Sequence, residues 1–186
     1  TSLVESIRET QRAIEEGTIA ITDFGDKHKN REKFLIAARK KLVQFGEDLD
    51  ASPELFAVVF CRTKIDTQKV AEQLIRDGYN ADSLHGDLSQ QQRDKVMDRY
   101  RQRSLQVLVA TDVAARGIDV SDITHVIHYH LPDEIENYTH RSGRTARAGR
   151  SGLSLSLVNV REVEKIRQIE RKLKRKFHLT RIPDAL

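Results

Sequence analysis

Short apolar runs alternate with helical patterns from Leu55 onward, and this alternation constrains the fold more than any other feature of the sequence. The apolar runs predict strands at 55–61, 81–84, 106–110, 125–130 and 153–158. Helical patterns at 67–77 and from Ser89 to about residue 102 separate the first three runs. Because parallel strands need crossover connections, this order predicts an α/β fold: a predominantly parallel sheet with helices on both faces.

The two ends of the chain have weaker patterns. They predict an edge strand at Thr18 to Thr22, helices at 3–16 and 30–46, and a basic closing helix at 160–177. A further helix is expected to start at Pro132 and to carry Tyr138. We predict three parts, namely a linker and domain start at 1–50, a core at 51–160, and a basic helix and tail at 161–186.

Composition limits the partners and the location of the protein. The chain has 186 residues, enough for one domain with a sizeable core, and its net charge of +4 favours a polyanionic partner. The longest apolar runs are too short to cross a bilayer, so no membrane partner is expected. Cys61 is the single cysteine and ends an apolar run, which favours a buried structural thiol and a cytoplasmic location.

The segment HRSGRTARAGR, residues 140–150, has an arginine at every third position and no acidic residue. We call it the arginine comb. Planar guanidinium groups bind phosphate oxygens in a forked geometry, so the comb indicates a phosphate ligand. The small residues between the arginines allow close approach of the backbone. The arginines of the comb are Arg141, Arg144, Arg147 and Arg150.

Three loops that follow predicted strands carry similar chemistry. Their sequences are CRTK at 61–64, HGDLSQQQR at 85–93 and ATDVAARGIDV at 110–120. Functional groups of open parallel sheets gather beyond the carboxyl ends of the strands, so we expect these loops and the comb to line one edge. Structural alternatives exist: Gly86 and Gly117 also suit turns with positive φ, and Arg62 and Arg116 also suit solvated positions.

Two aspartates and three histidines are further candidates for chemistry. Asp112 and Asp119 suit helix caps or arginine partners as well as catalysis. On a strand, His128 and His130 share one face while His125 lies opposite, which is poor geometry for a three-ligand metal site. We therefore predict no metal site and expect histidines on the strand surface or at loop ends.

Four segments resemble motifs of a known family. VVFCRTK, HGDLSQQQRDKVMDRYR, VLVATDVAARGIDV and YTHRSGRTARAGR are similar, in this order, to motifs IV, IVa with its Q-x-x-R element, V and VI of the second RecA-like domain of DEAD-box RNA helicases. The resemblance runs from about Leu55 to Val158. It implies a RecA-like three-layer α/β/α fold and the C-terminal domain of an ATP-dependent RNA helicase, with RNA-stimulated ATP hydrolysis.

The resemblance also implies roles for individual residues on the nucleotide side. Arg144 and Arg147 correspond to the arginine fingers that reach the γ-phosphate of ATP across an interdomain cleft, and are the expected catalytic residues. Gly117 and Asp119 are expected to approach the nucleotide, with the carboxylate accepting a hydrogen bond from a ribose hydroxyl.

On the RNA side, the resemblance implies contacts from Arg62, Gly86, Thr111 and Arg116. Contacts to the phosphate backbone carry no base information, so binding of single-stranded RNA or a short duplex is expected to be sequence-nonspecific.

The remaining motif residues are expected to couple or support these sites. Gln90 or Gln91 lies in the Q-x-x-R element with Arg93, and the spacing selects Gln90. By resemblance this pair braces the motifs. His140 is expected to contact the acidic motif of the partner domain, and Arg141 to have a coupling or structural role.

Half of the expected machinery is absent from the sequence. None of the nine glycines has another glycine five positions later, so no G-x-x-x-x-G-K-[ST] phosphate loop exists, and no Asp-Glu-x-Asp quartet occurs. We expect ATP with Mg²⁺ as cofactor, the Mg²⁺ held by the missing N-terminal RecA-like domain of the same polypeptide. Alone, the chain should bind RNA weakly and hydrolyse ATP negligibly.

Other interpretations remain open at this point. The chain could be an RNA-binding module that works without ATP, or half of a DNA helicase of the same superfamily. The cations of the segment 167–181 suit a solvated helix face and, alternatively, an auxiliary RNA contact.

Overall fold

The computed structural model describes residues 18–22, 55–146, 152–158 and 160–181, with side chains for 55–146, 152–158 and 161–177. The helices predicted at 3–16 and 30–46 lie outside these ranges, as do Arg147 and Arg150 of the comb. Within the described ranges no helix is long and apolar enough to span a membrane.

The described strands form one sheet of seven strands, and all their pairings are parallel. In chain order they are β1 (Thr18–Thr22), β2 (Ala57–Cys61), β3 (Ala81–Leu84), β4 (Val107–Thr111), β5 (His125–His128), β6 (Leu153–Val158) and β7 (His178–Arg181). Their order in the sheet is β3-β4-β2-β5-β6-β1-β7. The predicted α/β class is confirmed.

Helices connect the strands of the core. They are α1 (Lys64–Arg76), α2 (Gln90–Arg101), α3 (Ile135–Ser142) and α4 (Val163–Leu173), with a short 3₁₀ helix at Val160–Glu162 before α4. Ser89 caps α2 as predicted, and it forms a capping box with Gln92. Gly78 follows the end of α1 with a φ of +86°, a conformation that glycine adopts without strain.

The side chains of β2 alternate between the two faces of the sheet. Val59 and Cys61 pack with Leu74 of α1 on one face. Val58 and Phe60 pack on the other face, in a cluster that includes residues of α2. All of these side chains are buried, so the sheet has an apolar core on each side and three layers. The expectation that Cys61 is a buried thiol is confirmed.

Two predictions about the ends of the chain are wrong in detail. β1 is not an edge strand, because it pairs with β6 on one side and with β7 on the other. The closing helix ends at Leu173, since Lys174 adopts a left-handed conformation with φ of 52°. The four residues of β7 follow the predicted closing helix and were predicted as tail. The three-part division of the chain stays a prediction, but strands from both outer parts join the sheet of the core.

Candidate functional site

The carboxyl ends of three neighbouring strands bring Gly86, Thr111 and Arg62 together. Leu84 of β3 and Phe60 of β2 both pair with Ala110 of β4, so the three strands end at nearly the same level. Adjacent strands lie about 4.8 Å apart. Gly86, Thr111 and Arg62 therefore form a row along one edge of the sheet, as the sequence predicted for these loops. We call them the edge row.

The two glycines of the site differ in conformation. Gly117 has a φ of +79°, so the turn alternative applies to it. Gly86 is exposed, has no positive φ, and a Cβ added to it would meet no atom within 4 Å. Turn geometry therefore does not require glycine at position 86. Its accessible backbone is free to meet a ligand closely.

The side chain of Arg62 extends from the edge row to the segment that follows β5. Its Nη2 lies 3.5 Å from the carbonyl oxygen of Leu131 and 3.6 Å from the carboxylate of Asp133. Its backbone N–H donates to Nδ1 of His130. Half of the Arg62 side chain and most of Asp133 are exposed, so this ion pair is screened by water and can open at little cost.

A second ion pair joins the loops after β2 and β3. Lys64 Nζ lies 2.7 Å from Asp87 Oδ2. The hydrogen bond from Lys64 holds the pKa of the Asp87 carboxyl below its usual value. Because β4 lies between β2 and β3 in the sheet, this pair reaches across the carboxyl end of β4, where Thr111 is.

The loop after β4 is attached to α3 by an ion pair whose arginine is buried and whose aspartate side chain is 37% exposed. Arg141 is 3% exposed, and its Nε and Nη2 each donate to Asp112 at 2.6 Å. Its Nη1 donates to the carbonyl of His130 at 2.7 Å, and the guanidinium lies 5.0 Å from the ring centroid of Phe60. Each of the three guanidinium nitrogens of Arg141 thus has an acceptor. We call this the buried clamp. Of the alternatives for Asp112, the arginine partner is the one found.

Arg144 meets the same loop further along. Its Nη1 donates to the carbonyl oxygen of Ile118 at 2.8 Å, between Gly117 and Asp119. The structure thus brings together three of the four residues expected on the nucleotide side. The fourth, Arg147, lies outside the described residues.

The comb is not a loop that follows a strand, as its grouping with the other three loops suggested. Arg141 lies in α3, while Arg144 follows the helix end at Ser142 in a turn. The described residues of the comb therefore occupy the end of α3 and the turn after it. Helical spacing by three does not place Arg144 on the same helix face as Arg141. Contacts to the loop after β4 hold both arginines instead.

The exposed part of that loop carries Arg116 and Asp119. Both side chains point to solvent, and among the described residues neither takes part in an ion pair. Val113 on the same loop is 70% exposed. Thr111 accepts a hydrogen bond from the N–H of Ala114 at 3.3 Å, which supports the turn.

The Q-x-x-R residues behave differently from each other. Arg93 donates to the carbonyl of Ala114 at 3.4 Å and so braces α2 against the loop after β4. Gln90 donates to Asp94 one turn later in its own helix. His140 is exposed on α3, available to a partner surface.

The three histidines near β5 are buried, so the expectation of surface histidines is wrong. Nε2 of His128 lies 3.2 Å from the hydroxyls of both Ser142 and Ser154, and its ring stacks on Tyr138 at 4.3 Å. Burial, together with the charge of Arg141, holds the pKa of His128 well below its usual value. Burial lowers the pKa of His125 to about 4. Across the described ranges no cluster of His, Cys, Asp or Glu could hold a metal ion.

No local pattern indicates which arginine of the comb is buried. Four equally spaced arginines look alike, and the partner of Arg141 lies 29 positions away along the chain. The pairing of Lys64 with Asp87 was also missed. A salt bridge between two loops depends on the order of strands in the sheet, which the local pattern does not contain.

Comparison with known proteins identifies the family and the relatives that this chain resembles. The helicase conserved C-terminal domain family matches residues 40–149. A probable ATP-dependent RNA helicase of Methanocaldococcus jannaschii is 50% identical over 124 residues, 67% of this chain and 34% of that protein. The DEAD-box ATP-dependent RNA helicase CshA of Geobacillus kaustophilus is 46% identical over 132 residues, 71% of this chain and 28% of that protein. The chain spans about a third of the length of the curated relatives that it matches.

Solved structures agree. The crystal structure of a DEAD box protein from Methanococcus jannaschii has a TM-score of 0.72 at 36% identity, covering 97% of this chain and 49% of that one. Dbp5 of S. cerevisiae bound to RNA and ADP BeF3 has a TM-score of 0.76 at 26% identity, covering 92% and 42%. Fold and edge residues together define a RecA-like α/β helicase domain. The chain belongs to the helicase conserved C-terminal domain family, and these relatives and structural neighbours include DEAD-box proteins.

Proposed function

We propose that this domain supplies arginine fingers for ATP hydrolysis and half of a single-strand RNA groove in an ATP-dependent RNA helicase. One observation carries the proposal: Arg144 is bonded to the loop that also bears Asp119 and Thr111. A single loop thus adjoins both an arginine suited to phosphate and the edge row. The names of the relatives support ATP and RNA as ligands of such proteins.

On the nucleotide side, Arg144 and Arg147 stabilise the charge that develops on the γ-phosphate oxygens. The carboxylate of Asp119 accepts a hydrogen bond from a ribose hydroxyl, and Gly117 allows close approach of the backbone. Among the described residues no group of three or more His, Cys, Asp or Glu side chains is placed to hold a metal ion. We therefore assign Mg²⁺ and the grip on the triphosphate to an N-terminal RecA-like domain of the same polypeptide.

On the RNA side, the edge row and Arg116 bind the phosphate backbone. Gly86 offers a backbone N–H, Thr111 a hydroxyl, and Arg62 and Arg116 guanidinium groups. Arg62 would exchange its exposed contact with Asp133 for a phosphate oxygen. These are contacts to phosphate alone, so affinity falls with salt and depends little on base sequence.

Coupling between the two ligands follows from the rigidity of the loop after β4. The buried clamp fixes its start to α3, and Arg93 braces its middle against α2. A shift of the RNA at Thr111 is therefore transmitted to Arg144 through bonded groups. His140 contacts the acidic motif of the partner domain when the two domains close.

We also propose that the protein is located in the cytoplasm.

The test is ATP turnover with and without single-stranded RNA. It compares this chain alone with the longest natural polypeptide that contains it. RNA-stimulated turnover is expected in the longer chain and negligible turnover in this chain alone. Arg144→Ala or Arg147→Ala should lower turnover on the order of 10³-fold, as arginine fingers do. Arg76→Ala is the matched control, because Arg76 is an exposed arginine paired with Glu72 on α1.

Two results would contradict the proposal. Turnover by this chain alone would show that it needs no second domain. Tight RNA binding by this chain, with no turnover in either form and no effect of the Arg144 and Arg147 substitutions, would favour a module that binds RNA without ATP.

A further inference from the structure

The ion pair between Lys64 and Asp87 lies where the proposed RNA path runs. Lys64 is the first residue of α1, three positions beyond the end of β2, and Asp87 lies three positions beyond the end of β3. Since β4 separates the two strands, the backbones that carry Lys64 and Asp87 are roughly two strand spacings apart, or about 10 Å, and the two side chains meet between them. It therefore crosses the edge row between Gly86 and Arg62.

The two charges are accessible to a ligand. The side chains of Lys64 and Asp87 are 54% and 56% exposed. Asp87 is next to Gly86, whose backbone meets open space. A carboxylate at this position repels a phosphate group approaching Gly86, while the lysine that would attract the phosphate is occupied by the carboxylate.

From this placement we propose that Asp87 lowers the affinity of the domain for RNA, by holding Lys64 in an ion pair that an RNA phosphate must displace. The inference rests on the proposed RNA groove. Binding exchanges the carboxylate on the Lys64 ammonium for a phosphate oxygen and leaves Asp87 exposed to solvent. Lys64 is thereby an additional RNA-binding residue, and Asp87 a residue that limits affinity and allows release.

Two neutral substitutions of nearly the same size, Asp87→Asn and Lys64→Gln, remove one charge each and so test the role of each residue in RNA binding. Asp87→Asn frees Lys64 and removes the repulsion, so RNA should bind about fivefold tighter, the scale of one exposed charge pair. The dependence of affinity on salt should steepen by about 0.7 in the slope of log K against log salt, the value for one more phosphate contact in single strands. Lys64→Gln leaves Asp87 uncompensated and should weaken binding about fivefold.

The measurement is fluorescence anisotropy of a labelled oligouridylate over a range of salt concentrations, with the longest natural polypeptide that contains this sequence. Asp98→Asn is the matched control: it makes the same charge change in an exposed pair with Arg101, in the last turn of α2. The double variant Lys64→Gln with Asp87→Asn should bind close to the wild type.

The outcomes separate the two proposals. If Asp87→Asn binds RNA no tighter than Asp98→Asn, or binds more weakly than the wild type, the role of Asp87 is overturned while the RNA groove stands. If the wild type does not bind the oligouridylate under any of these conditions, the groove and this inference fail together. A uniform gain for both aspartate variants would mean a long-range effect of net charge and would overturn the inference.

Discussion

The buried clamp and the edge row are neighbouring parts of the site with opposite physical character. The clamp joins Arg141, 3% exposed, to Asp112 by two short hydrogen bonds. The edge row is lined by ion pairs whose side chains are half or more exposed, such as Arg62 with Asp133. A buried guanidinium such as that of Arg141 holds structure because little water can reach it to replace its partner, whereas charges at the edge can exchange partners for a ligand. The difference separates residues that position from residues that bind.

The largest expected effect comes from opening the clamp. Asp112→Ala leaves the buried Arg141 guanidinium without its counterion; because Asp112 is itself 37% exposed, the free energy of unfolding should fall by at most about 3 kcal/mol. Asp133→Ala removes an exposed partner of Arg62 and should cost less than about 0.5 kcal/mol. Urea unfolding of the two variants measures both values. Equal destabilisation would mean that the clamp is no stronger than a surface pair.

Acid should destabilise the folded domain through two buried histidines of β5, His128 beside the clamp and His125 at the other end of the strand. The pKa values of His128 and His125 are lowered in the folded state, so below about pH 6.5 the unfolded chain binds protons first. Stability is therefore complete above that pH and lost as the pH falls, by up to about 1.4 kcal/mol per pH unit for each histidine. For His125 the loss ends near its folded pKa of about 4.

Thermal or urea unfolding between pH 7 and pH 4 measures this loss, with His128→Asn expected to reduce its slope. His140→Asn is the control, because His140 is exposed. An identical pH dependence in His128→Asn and the wild type would show that His128 does not contribute.

The smallest effect distinguishes the two glycines. Gly117→Ala forces a side chain into a φ of +79° and should cost about 1 kcal/mol of stability. Gly86→Ala meets open space without positive φ and should leave stability unchanged within about 0.5 kcal/mol. Chemical denaturation of both variants tests this. A loss of RNA affinity in Gly86→Ala would then report on contact with the ligand, while a loss of stability would contradict the conformation described.

The sequence predicted well those features that depend on neighbours along the chain. The strand at Ala81–Leu84, the capping residue Ser89 and the two-sided burial of β2 all follow from local pattern. The residues of the edge row were also predicted, because loops after parallel strands share one edge.

What the sequence did not reveal depends on pairs distant in the chain. The clamp, the bond from Arg144 to Ile118 and the pair of Lys64 with Asp87 need the order of the strands. Burial of His128 was missed because hydroxyls of Ser142 and Ser154 satisfy its Nε2, and such partners carry no local signal. β7 was missed because four residues of mixed polarity show no clear period.

The inner position of β1 has a consequence for synthesis on the ribosome. Its two neighbours, β6 and β7, are both encoded near the other end of this sequence. At about 5–20 residues per second, the ribosome needs on the order of ten seconds to deliver β6 after β1. Throughout that interval the backbone groups of β1 lack their final partners, so the nascent chain exposes a strand open to wrong pairings.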